Sequence, residues 1–131
     1  MRQKIRFIIN PKSGVGRKNL IPGLIEEHLD LGRFDYDIVY TEYRRHGKLI
    51  AKEAAESGYD VVCAVGGDGS VHEVGTTLIG TDTKLAIVPA GSGNGLARHL
   101  KIPMDIASAI KCINENNAIK MDTVKVNDKS F

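Results

Sequence analysis

The sequence predicts an α/β fold, an open and mostly parallel sheet sandwiched by helices, on three observations. Short apolar runs rich in β-branched residues alternate along the chain with stretches whose apolar residues recur at helical spacing. The connections between them are short, as in βαβ units. Glycines cluster directly after apolar runs, at Gly14 to Gly16, Gly66 to Gly69 and Gly91 to Gly95, where strands of such a sheet pass into helices.

Each element has its own justification. Lys4 to Asn10 (KIRFIIN) reads as a buried strand, ended by Pro11. Lys18 to Leu31 places Leu20, Leu24, Ile25 and Leu29 at helical spacing, tolerates Pro22 early, and stops at Gly32. Asp35 to Thr41 alternates Tyr36, Ile38 and Tyr40 as a second strand. His46 to Ser57 is helical with Leu49, Ile50 and Ala54 on one face, and Gly58 suits its C-terminal cap. Asp60 to Val65 (DVVCAV) is apolar on both sides, as expected of a central parallel strand. Ser70 to Ile79 forms a third helix, with Ser70 as N-cap and Glu73 completing a capping box. Lys84 to Val88 is a fourth strand and Leu96 to Leu100 a short helical turn. Asp105 to Asn116 carries Ile106, Ala109, Ile110 and Ile113 on one helical face, and Ile119 to Val126 alternates as a fifth strand.

The 131 residues amount to about one domain, with a globular balance of 42% hydrophobic and 26% charged residues. Lys plus Arg number 18 against 16 Asp plus Glu, a net charge of +2 that gives no reason to expect a nucleic-acid partner. Cys63 and Cys112 have neither zinc-knuckle nor redox-pair spacing, so a reduced, cytoplasmic compartment is expected. The opening MRQKIRFIIN has too short an apolar run for a signal peptide, and no run approaches the ~20 apolar residues of a membrane helix. The final strand and NDKSF have no closing element, as if another domain followed, and an unpaired edge there favours pairing with a second copy as a homodimer.

In open α/β sheets, ligands bind beyond the carboxyl ends of the strands, where all three glycine clusters fall. In the first, Asn10 to Arg17, turn amides can cradle an anion beside Lys12 and Arg17; an ordinary strand-to-helix turn explains it as well. In the second, Val65 to Glu73, Asp68 stands between glycines, placed to orient a Mg²⁺-bound phosphate or polarise a hydroxyl. Ser70 can offer hydroxyl and amide to phosphate; a plain helix cap explains Ser70 but not the run of glycines. The third, Pro89 to Arg98, joins an apolar strand to a short helix bearing Arg98. None is a Walker loop, and His72 and Leu96 occupy the position where a dinucleotide fingerprint needs its last glycine.

Other residues carry less. His28, His46, His72 and His99 lack metal-ligand spacing, and Ser13, Ser70 and Ser92 sit in no Gly-x-Ser-x-Gly elbow. Glu42, Arg44 and Arg45 read as a solvated loop, and Cys63 as core.

With NPKSGVG (Asn10 to Gly16), GGDGSVHEV (Gly66 to Val74) and PAGSGNGLARHL (Pro89 to Leu100) in this order, the chain resembles the diacylglycerol kinase catalytic domain family, which includes sphingosine kinases and bacterial lipid kinases. The segment Gly-Gly-Asp-Gly-Ser alone also resembles that of NAD kinases and 6-phosphofructokinases; Gly-Ser-Gly-Asn-Gly-Leu-Ala-Arg favours the lipid branch. The resemblance implies an NAD kinase- or diacylglycerol kinase-like N-terminal domain spanning residues 1–131 that binds ATP and Mg²⁺. It implies phosphoryl transfer to a hydroxyl of diacylglycerol or a sphingoid base, and transient contact with a membrane surface in the full-length protein. Asn10, Ser13, Gly14 and Gly16 would line the nucleotide site; Gly66, Gly67, Gly69 and Ser70 would hold the phosphates. Asp68 would serve Mg²⁺ and phosphoryl transfer. Gly91, Ser92, Gly93 and Asn94 would close over the nucleotide, with Arg98 supporting that loop. Asp122 matches an acidic position that would help organise Mg²⁺, although an alternating strand would also simply expose it. Ser70 replaces the commoner Thr, and Gly95 and Leu96 move the third segment toward the sphingosine-kinase-like form. Family members continue into a β-rich, lipid-contacting domain absent from this sequence, so the isolated chain is expected to be inactive. The alternatives are a kinase of a soluble acceptor such as NAD, and a non-catalytic nucleotide-binding module.

Overall fold

A computed structural model describes residues 2–11, 20–89, 102, 105–115 and 118–121. The elements run β1 (Gln3–Ile9), α1 (Ile21–His28), β2 (Phe34–Tyr40), α2 (His46–Glu56), β3 (Val61–Gly66), α3 (Asp68–Thr77), β4 (Lys84–Pro89), α4 (Ile106–Ile113) and β5 (Ile119–Lys120). The sheet order is β2-β1-β3-β4-β5. The first four strands pair in parallel, and β5 joins β4 antiparallel.

Strand alternation divides the interior into two cores. Ile5, Phe7 and Ile9 of β1, with Val61, Cys63 and Val65 of β3 and Ala86 and Val88 of β4, face α1 and α4. Ile8, Val62, Ala64, Leu85 and Ile87 face α2 and α3 on the other side. The uninterrupted apolar run of β3 is thereby explained, since every one of its residues is buried. Burial also pushes the Cys63 thiol far above its ordinary pKa, so it is inert core.

Local expectations change at two helices, α1 and α3. The second element does not stop at Gly32: α1 ends at His28, with Leu29 turning extended and burying its side chain. Asn114, after α4, holds this end in place; its amide nitrogen donates to His28 O at 2.8 Å and its oxygen accepts from Asp30 N at 2.8 Å. The third helix starts at Asp68 with Gly67 as N-cap, not at Ser70, and no side chain caps it. The parallel strand simply ends at Gly66, and the chain turns into the helix at once. Gly58, in contrast, adopts φ +83° after α2 as expected, with Tyr59 N and Gly58 N donating back to Ala54 O and Ala55 O. The first helix also starts later than the predicted Lys18, at Ile21 with Leu20 as N-cap. The predicted turn at Leu96 to Leu100 and the fifth strand from Asp122 onward lie outside the described residues.

A polar cluster ties β1, β2 and α2 together. Arg6 donates Nε to Asp37 Oδ1 at 3.0 Å and Nη2 to Asp37 Oδ2 at 3.1 Å, a bidentate pair. Its Nη1 reaches Glu53 at 3.3 Å. Tyr59 accepts from Arg6 at 2.9 Å and donates to Asp37 at 2.5 Å. Burial alone would raise the Asp37 pKa, but the hydrogen bonds from Arg6 and Tyr59 and the charge of Arg6 prevail and hold it below 3.8. A carboxylate whose pKa is depressed by folding contributes its stability above the unfolded value, and loses it as pH falls through the folded one. Asp37 is 41% exposed, so solvent screening limits the effect. Asp37→Asn is expected to lower unfolding stability by about 1 kcal/mol at neutral pH. In urea titrations the gap between variant and wild type should close as pH falls below 3.8. A gap of equal size in acid would show that the Asp37 charge is not what stabilises.

Candidate active site

The chain order of the sheet creates one crevice. From β1 the chain leaves along α1 on one face, whereas from the adjacent β3 it leaves along α3 on the other face. At such a crossover the loops diverge beyond the carboxyl ends of the strands and leave an opening. A cleft of about 640 Å³ lies at this end, on the α2 and α3 side. Asn10 lines it from the end of β1, Thr41 from the end of β2, and Gly69 and Ser70 from the first turn of α3. The opposite end holds a hollow of about 110 Å³, far smaller than ordinary ligand pockets.

Among the described residues, nothing in the fold explains Gly67 and Gly69. Gly67 has φ −91° and ψ −166°, an extended conformation open to any residue. A Cβ at Gly67 or at Gly69 would meet nothing within 4 Å among the described residues. Neither tight packing nor a left-handed backbone demands a glycine here. Glycines here also leave room for close approach to the first turn of α3, an end where the helix dipole favours an anion. Asp68, between them, is exposed at the first helical position, which also suits a carboxylate; it stands beside the cleft lining and not in it.

Of the residues singled out in the sequence, the structure brings Asn10, Gly69 and Ser70 to one cleft and sets Gly66, Gly67 and Asp68 at its edge. Gly66 is buried at the end of β3. Ser13, Gly14, Gly16, Gly91, Ser92, Gly93, Asn94, Arg98 and Asp122 lie outside the described residues.

The turn after β2 contributes more than a solvated loop. Tyr43, Arg44, Arg45 and Lys48 form a basic wall of the cleft. Arg45 adopts φ 68° and ψ 9°, left-handed for a side chain that gains nothing from it, at a strain of about 1 kcal/mol. The turn is braced by His46, whose Nδ1 accepts from Glu42 N at 2.9 Å and whose ring stacks on Tyr43 at 4.3 Å. Its position after a strand's carboxyl end was the available signal, since it obeys the same rule as the glycine clusters. Glu73 is not a capping-box partner of Ser70. It crosses the cleft floor, and its Oε1 accepts from Lys48 N at 3.1 Å, capping α2.

The diacylglycerol kinase catalytic domain profile matches residues 4–126. The chain belongs to the diacylglycerol kinase catalytic domain family. Curated diacylglycerol kinases of Staphylococcus aureus strains JH9 and Newman are each 35% identical over 135 residues, covering 100% of this chain and 42% of theirs. A crystal structure of a diacylglycerol kinase from Bacillus anthracis str. Sterne superposes with TM-score 0.78 at 32% identity, covering 87% of this chain and 40% of that one. The chain thus spans about two fifths of the length of the relatives it matches. The α/β architecture described above agrees with this family membership.

Glu73→Ala is expected to cost about 1 kcal/mol, the usual worth of a cap, and to speed amide exchange at Lys48. Glu73→Gln keeps an acceptor and should retain most of the protection. Unchanged exchange at Lys48 in Glu73→Ala would mean that α2 is held by other contacts.

Proposed function

We propose that this domain binds Mg-ATP in the cleft and supports transfer of the γ-phosphoryl group to a primary hydroxyl of a lipid, diacylglycerol or a sphingoid base. The observation that carries this reading is the pair Gly67 and Gly69, unexplained by backbone or by packing among the described residues, at a helix start beside the cleft of a diacylglycerol kinase family domain. The phosphates would lie along the first turn of α3, with Gly66, Gly67, Gly69 and Ser70 offering amides and hydroxyl. Asn10, Ser13, Gly14 and Gly16 would flank the nucleotide, Gly91, Ser92, Gly93 and Asn94 would cover it, and Arg98 would brace that cover. Arg44, Arg45 and Lys48 would face the phosphate charge from the opposite wall.

The oxygen donors present suit Mg²⁺, which takes one or two carboxylates and shares the nucleotide phosphates. Asp68, with Asp122, would hold it, and it would supply neutralisation of charge on the phosphates. In the reaction the acceptor oxygen forms a bond to the γ-phosphorus as the bond to the ADP oxygen breaks. Asp68 accepts the hydroxyl proton. The protein's part is positioning and charge neutralisation by fixed dipoles. The remaining length of the relatives would supply the second wall of the site, a β-rich lipid-contacting domain, so the 131-residue chain alone should bind nucleotide and transfer nothing.

Calorimetric titration with ATP, with and without Mg²⁺, tests the site. Gly67→Val meets no described residue within 4 Å, so it should keep the fold while weakening ATP binding by at least about tenfold. Undiminished binding in this variant would move the phosphates elsewhere. In the full-length protein Asp68→Asn should lower turnover by roughly a thousandfold with the fold intact. Near-normal turnover would remove Asp68 from the mechanism.

A further inference from the structure

The basic wall of the cleft continues onto the exposed face of α2, where Leu49 and Lys52 stand outside the cleft lining. Among the described residues, Tyr43 and Leu49 are two of the few large apolar side chains turned to solvent, at 58% and 55% exposure. Between them and just beyond stand Arg44, Arg45, Lys48 and Lys52, with no acidic residue from Tyr43 to Lys52. These four positive charges exceed the +2 of the whole chain, so the remainder is net negative. The helix aligns them: Lys48, Leu49 and Lys52 follow Arg45 by three, four and seven positions and share one stripe. Ile50, Ala51 and Ala54 fill the opposite face and are buried against the sheet. The acidic neighbours stand at the margins. Glu42 precedes the patch, Glu53 turns to Arg6 at 3.3 Å, and Glu56 ends the helix.

We propose that this face, Tyr43 to Lys52, is a docking surface for a bilayer containing anionic lipid. An exposed leucine and tyrosine ringed by long basic side chains match the boundary between headgroups and acyl chains, where the apolar groups enter and the Lys and Arg heads stay at the phosphates. A nucleic acid would satisfy the charges but not Leu49. Tyr43, Arg44, Arg45 and Lys48 also line the cleft, so docking sets the cleft rim at headgroup level. The surface is argued from its own residues; its use for delivering a lipid acceptor rests on the kinase reading above.

The test is sedimentation of this chain with vesicles of phosphatidylcholine alone or mixed with phosphatidylglycerol, with ATP titrations on the same samples. Leu49→Gln and Lys52→Gln are the variants, because neither residue lines the cleft. The chain should bind the anionic vesicles and release them as salt rises. Lys52→Gln should weaken binding about fivefold and Leu49→Gln about tenfold, with unfolding midpoints and ATP affinity unchanged. Equal binding to neutral vesicles, or unchanged binding by both variants, would overturn the proposal. So would a dimer in solution that Leu49→Gln dissociates, which would make a second copy the occupant, or preference for an RNA oligomer over the vesicles. Vesicle binding without ATP binding would count against the kinase reading and leave the docking surface standing.

Discussion

Burial of β3 on both faces is the constraint from which the rest follows. Val62, Cys63 and Ala64 are wholly shielded from solvent, so helices must cover the sheet on both sides. With short connections, α1 and α4 take one side and α2 and α3 the other. The chain must therefore leave the adjacent strands β1 and β3 in opposite directions. The crevice at their carboxyl ends is a consequence of dry packing and needs no residue of its own to open it.

What the residues at that end supply is accessibility and charge. Gly67 and Gly69 put no side chain over the first turn of α3, although a Cβ there would meet no described residue within 4 Å. Arg45 holds a left-handed backbone that glycine would adopt without strain, which keeps a guanidinium at the cleft. Glu73 fixes the distance between the two walls by capping α2 from α3. Local choices that weaken a helix or a turn are concentrated on this rim, as is common where a scaffold carries a site.

Stability is gathered elsewhere. The Arg6, Asp37, Tyr59 and Glu53 cluster binds β1, β2 and α2, and Asn114 holds the end of α1. None of these side chains lines the cleft. The separation allows the rim to carry exposed arginines, a strained turn and apolar groups facing solvent.

Periodicity determines the helices and strands, and the rule about carboxyl ends places Asn10, Gly69 and Ser70 at one end of the sheet from the sequence alone. Apolar alternation is local, and a glycine cluster after a strand is local, so both are legible in a linear sequence. Gly67 as the N-cap, Glu73 as the cap of a different helix, Asn114 as the stop of α1 and the arginines after β2 as a cleft wall were decided by tertiary structure alone. Each depends on which segments meet across the sheet, and that is set by the order in which strands stack to bury β3. A hydrogen bond between residues 25 positions apart, as between Lys48 and Glu73, leaves no periodic trace in the chain.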